Sequence, residues 1–97
     1  MVEKREIAEF EWDESNIDKS YQKHGISPNE AEEIFLDENL LELEDLKHSQ
    51  TEKRLVAIGF TSQKKLLFCA FTVRKNKIRI ISVRPVSKKE RRLYEKT

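Results

Sequence analysis

Arg79 and Arg84 are the residues best placed by type to act on a phosphate. They lie in the apolar run Ile78–Arg84, IRIISVR. An arginine inside a strand is costly unless it reaches a partner or an open site. One solution is an ion pair with an acidic residue of the first half of the chain. The other is a phosphate, which a planar guanidinium binds through two parallel hydrogen bonds. Residues 79 and 84 have opposite parity, so a regular strand points them to opposite faces. Ser82 shares a face with Arg84. Both arginines serve one site only if a bulge or the strand end intervenes.

Other groups offer less. The histidines are His24 and His48. Lys23-His24 stands just before Gly25, where cations usually meet the last helix carbonyls. That bland role is favoured from spacing alone. The alternative is a cation and a proton-transfer group on a rigid helix end. His48 falls in a polar loop, either exposed or serving as an acid or base beside the sheet. The sequence has no HExxH, Gly-rich phosphate loop or GxSxG, and its carboxylates and histidines lack metal-ligand spacing. No metal and no cofactor is expected. Cys69, the single cysteine, sits mid-strand among apolar residues and reads as core.

The charge distribution is the strongest composition signal. The 97 residues carry a net charge of +1. Residues 1–52 hold five Lys/Arg against sixteen Asp/Glu, and residues 53–97 hold fourteen against two. The halves can neutralise each other in the fold. That does not explain the segment Lys88–Lys96, KKERRLYEK, in which five of nine residues are basic. A basic half of this kind suits a polyanion.

The elements that must carry these residues follow from local pattern. Phe10-Glu11-Trp12 alternates like a short strand. Asp13 reads as an N-cap, with Trp12 and Ile17 spaced as a hydrophobic staple. Ile17, Tyr21 and His24 share one helical face, and Gly25 ends that helix. Ser27-Pro28-Asn29-Glu30 is a capping box with proline in the first turn. It opens a helix that buries Ala31, Ile34 and Phe35. Leu41 and Leu43 then alternate with Glu42 and Glu44. The runs Arg54–Thr61, Leu66–Arg74 and Ile78–Val83 read as strands joined by short polar turns. Leu66–Arg74 is apolar on both parities, as a central strand is. Ser87-Lys88-Lys89-Glu90 is a second capping box, opening a helix to about Glu95. The predicted order is β-α-α-β-β-β-β-α. This is an α+β fold, one antiparallel sheet with helices mainly on one face.

The length favours a single domain over 1–97. No apolar run approaches the roughly 20 residues that span a bilayer, and the N-terminus is too charged for a signal peptide. A cytoplasmic protein with no membrane contact is expected.

Taken in order, Phe10-Glu11-Trp12-Asp13, Lys23-His24-Gly25-Ile26-Ser27, Glu30-Ala31, Arg79–Arg84 and Glu90–Glu95 resemble the BrnT family, the toxins of bacterial type II toxin–antitoxin systems. The resemblance runs from Phe10 to Lys96. Each piece is weak alone, and the set is specific. It implies a RelE-like fold and metal-independent cleavage of RNA. It also implies a cognate BrnA-like antitoxin with a ribbon-helix-helix region, in which a 2:2 heterotetramer is one assembly. The chain departs from the family at Leu36-Asp37-Glu38, where members often have a proline. Residues 1–9 lie outside the pattern and are open to disorder.

Cleavage of this kind needs a base for the 2′-hydroxyl, charge on the phosphorane and an acid for the 5′-oxygen. Arg79 and Arg84 would supply charge. Lys23, His24, His48 and Tyr94 are candidates for proton transfer, with base and acid unassigned. Lys88, Lys89, Arg91 and Arg92 would contact the RNA backbone. A non-catalytic RNA- or protein-binding module is the alternative.

Overall fold

The computed structural model describes residues 9–12, 23–48 and 52–96. Its sheet has five strands: β1 (Glu9–Trp12), β2 (Leu41–Glu44), β3 (Leu55–Phe60), β4 (Leu66–Arg74) and β5 (Lys77–Pro85). Helix α1 spans Pro28–Glu33 and continues as a 3-10 turn over Ile34–Leu36; helix α2 spans Lys88–Glu95. A second 3-10 turn covers Leu46–His48.

Both capping boxes form. Ser27 Oγ accepts from the Glu30 amide at 3.2 Å, and the Glu30 carboxylate accepts from the Ser27 amide at 3.0 Å. Ser87 and Glu90 repeat this at 3.2 and 2.8 Å. Between β4 and β5 the chain reverses through Lys75 and Asn76, both with positive φ. That is the two-residue hairpin geometry whose twist matches the strands.

Strands β3 to β5 form the expected antiparallel meander, and β2 adds to it antiparallel to β3. The sheet order is β1-β5-β4-β3-β2, and β1 pairs with β5 in parallel. The sheet is therefore mixed rather than wholly antiparallel. Turn chemistry announces hairpins between neighbours, but no turn links β1 to β5, so their pairing left no local mark. The order also differs. Among the described residues one whole helix precedes β2, where two were expected. The first expected helix falls mostly on residues 13–22, outside the described residues, and only its end at Lys23-His24 is seen. Ile17 and Tyr21 lie there too. Residue 9 belongs to β1, one position earlier than expected.

Helices cover both faces of the sheet rather than mainly one. Ala31 and Ile34 pack with Ala57, Leu67, Cys69, Phe71, Ile78, Ile80 and Val83. On the opposite face Tyr94 of α2 packs with Val56, Ile58 and Leu66, flanked by Phe60 and Phe68. The cause is legible in β3 and β4. Both are apolar on both parities, so each face has surface to bury. Gly59 lets the α1 side approach closely. A Cβ there would stand 2.9 Å from the Ile34 carbonyl oxygen.

The two charged halves do meet. Glu30 pairs with Lys65 at 2.7 Å, Glu52 with Arg74 at 2.6 Å and Glu9 with Lys77 at 3.0 Å. Glu33 accepts from the Ser62 amide and hydroxyl, each at 3.0 Å. The acidic helix α1 thereby holds the β3–β4 turn.

Candidate functional site

The register of β5 decides where the arginines point. Ala70 stands opposite Ser82, but Phe71 stands opposite Ile80. Ile81 is one extra residue in β5, a bulge. Ile78, Ile80 and Val83 all enter the α1-side core. Arg79 pairs across from Thr72, and Arg84 from Phe68. Arg79, Ser82 and Arg84 thus share the α2 face of the sheet. Four residue steps along β4 separate the two partners, roughly 13 Å at the rise of a strand.

Arg84 is held in a defined pose. Its Nη1 donates to Glu90 Oε1 at 2.8 Å, and its Nη2 donates to Glu90 Oε2 at 2.7 Å. Nη1 also donates to the Pro85 carbonyl at 3.1 Å. The guanidinium carbon stands 3.9 Å from the centre of the Phe68 ring, within cation–π range. The partner is an acid of the second half, not of the first half as expected for a structural pair. Arg84 holds the Glu90 carboxyl below its ordinary range, and Glu90 raises Arg84 further. Arg79 lies 3.9 Å from Glu11 on the neighbouring strand β1, the first-half partner expected of it.

The remaining candidates are spread out. Lys23 and His24 are exposed at the end of the first helix. Ile26, two residues on, enters the α1-side core. His48 ends the turn after β2. Tyr94 is buried in the α2-side core, and its hydroxyl donates to Asp37 Oδ2 at 2.6 Å. The same oxygen accepts from the Phe60 amide at 2.8 Å. Burial, then the adjoining carboxylate, push the phenol up to about 12. Trp12 packs against the core, and its indole donates to Glu32 at 3.0 Å. Burial pushes the Cys69 thiol up, consistent with a core residue.

Lys88, Lys89, Arg91 and Arg92 are exposed on α2. No described acid pairs with any of them, unlike the basic residues of β4 and β5. The α2 surface therefore keeps its positive charge. Among the described residues, no three His, Cys, Asp or Glu side chains gather to hold a metal ion. Among the same residues no helix is long and apolar enough to cross a membrane.

Sequence reasoning missed Glu90, Phe68 and Asp37. Glu90 was legible only as a capping residue. Its second role needs the fold of the Pro85–Ser87 link, which turns α2 back over the sheet against β3. Phe68 looked like plain strand core. Asp37 lay in the one stretch that departs from the family pattern.

Comparison with known proteins agrees with this architecture. A crystal structure of the Brucella abortus ribonuclease toxin BrnT superposes with a TM-score of 0.63. It is 24% identical and covers 82% of this chain and 97% of that one. That similarity shows a shared fold. No curated protein matches the chain. The profile of the ribonuclease toxin BrnT of type II toxin–antitoxin systems matches residues 12–90, well over half of the sequence. The chain therefore belongs to the BrnT family of ribonuclease toxins of type II toxin–antitoxin systems.

Proposed function

We propose that this chain is an endoribonuclease that cleaves RNA without a metal ion and so inhibits translation in the cytoplasm. A base takes the 2′-hydroxyl proton as that oxygen attacks the adjacent phosphate; the dianionic phosphorane then collapses to a 2′,3′-cyclic phosphate, and the departing 5′-oxygen takes a proton from an acid. Arg79 and Arg84 stabilise that charge. Pre-aimed donors act where charge develops, and each is worth about 10²–10³ in rate. The observation that carries this reading is the bulge that brings both arginines onto the α2 face. Lys88, Lys89, Arg91 and Arg92 hold the RNA backbone beside them.

Proton transfer falls to Lys23, His24, His48 or Tyr94. A BrnA-like antitoxin with a ribbon-helix-helix region covers the basic surface and keeps the toxin silent, in a 2:2 assembly.

Purified protein incubated with single-stranded RNA in EDTA tests the reading. Cleavage in EDTA, and growth arrest when the chain is expressed without its antitoxin, are the expected results. Cleavage that requires added divalent metal contradicts the mechanism. Binding without cleavage indicates a non-catalytic module.

A further inference from the structure

Arg84 has five N–H donors, and the structure accounts for three of them. Both Nη1 hydrogens are used, by Glu90 Oε1 and the Pro85 carbonyl. One Nη2 hydrogen is used by Glu90 Oε2. The Nε hydrogen and the second Nη2 hydrogen remain, and no described residue accepts from either. These two point the same way, along one side of the guanidinium plane. Together they match a pair of phosphate oxygens. The Arg84 side chain is 40% exposed and that of Glu90 18%. Water and ligands can therefore reach the open edge, while the carboxylate behind it is shielded.

We infer that the Nε–Nη2 edge of Arg84 is a phosphodiester-binding fork, held in its working pose by Glu90 from behind and by the Phe68 ring from below. An unrestrained arginine loses much rotamer freedom when it grips a ligand. Here the Glu90 pair and the ring stack meet that cost in the folded protein. Glu90 is itself fixed, because its Oε1 also accepts from the Ser87 amide of the capping box. Glu90 and Phe68 are positioning residues: they act on RNA only through Arg84. This inference rests on the reading of Arg84 as an RNA contact.

The test uses Glu90→Gln, Phe68→Leu and Arg84→Ala in the full chain. Glutamine serves as well as glutamate at the third position of a capping box, so α2 is kept. Leucine keeps Phe68 apolar and removes the stack. The probe is a fully 2′-O-methylated RNA oligonucleotide, which a 2′-hydroxyl mechanism cannot cleave. Its affinity is measured by fluorescence anisotropy across a salt series, with circular dichroism as the check on folding. Each lost phosphate contact lowers the slope of log affinity against log salt by about 0.7 for a single strand. The expected result is that Glu90→Gln and Phe68→Leu, both folded, lose about that slope and bind more weakly, as Arg84→Ala does. On unmodified RNA their cleavage falls by about 10²-fold, as misplacement of a binding group does. Should Glu90→Gln not fold, Phe68→Leu carries the same test. Tighter binding and a steeper slope in Glu90→Gln would overturn the inference, because Glu90 would then be a competitor for the fork. Wild-type behaviour of both variants beside a weakened Arg84→Ala would also overturn it. Wild-type behaviour of Arg84→Ala would instead remove the reading on which it rests.

Discussion

Arg79 and Arg84 stand five residues apart in β5, yet both lie on the α2 face, because Ile81 is an extra residue opposite the Ala70–Phe71 step. Deleting Ile81 would therefore leave every other β5 residue on its present face, now in an unbroken ladder. The ΔIle81 protein is predicted to fold, with a stability loss inside the roughly 0.5–3 kcal/mol of an ordinary single change. A thermal melt followed by circular dichroism checks this. If β5 were regular, the deletion would turn Val83 outward and Arg84 into the core, and the variant would not fold.

Tyr94 and Asp37 tie α2 to the segment after α1. Tyr94→Phe removes a hydrogen bond to a charged acceptor, and a loss of about 1.5–3 kcal/mol is expected. The pH dependence carries a sign. The phenol ordinarily titrates at 10.0, and the fold pushes it up to about 12. Between these values the native state binds more protons than the unfolded one. The contribution is thus whole below pH 10 and is lost as pH rises toward 12. Urea unfolding of wild type and Tyr94→Phe should show a stability gap that closes over that window. A gap independent of alkaline pH would mean that neither burial nor Asp37 holds the phenol up.

Gly59 is required by a close approach. In Gly59→Ala the new methyl would meet the Ile34 carbonyl at 2.9 Å and a Leu40 methyl at 3.0 Å. The first contact is backbone and yields little. Overpacking of this kind costs about 1–3 kcal/mol. Chemical denaturation should show that loss; an unchanged midpoint would mean that α1 sits farther from β3.

The unpaired basic surface of α2 makes a claim about partners. If RNA and antitoxin both use it, Arg91→Glu with Arg92→Glu weakens both. For antitoxin, the loss should appear mainly in the association rate and shrink at high salt. Surface plasmon resonance with the cognate antitoxin measures it. Unchanged antitoxin affinity beside weakened RNA binding would place the antitoxin on another surface.

What the sequence made legible was local. The capping boxes at Ser27 and Ser87 formed, because each is decided within four residues. The meander was readable from alternation and short turns. The bulge was half visible: Ile78, Ile80 and Val83 are spaced two and then three, and that change marks the extra residue. The β1–β5 pairing was not visible, since it joins strands far apart in sequence without a turn. Nor was the second core that α2 covers, because Leu66–Arg74 shows only that both faces of β4 are apolar, not what covers each one. For the candidate site, residue types pointed to Arg79 and Arg84. Their partners Glu11, Glu90 and Phe68 became known only from cross-strand register and the path of residues 85–87.

The central claim is that the two arginines on the α2 face stabilise the charge of the cleaved phosphate. Single-turnover cleavage of single-stranded RNA in EDTA, by wild type, Arg79→Ala and Arg84→Ala, tests it most directly. With folding verified by circular dichroism, each variant should be slower by about 10²–10³. Wild-type rates from either folded variant would contradict the account.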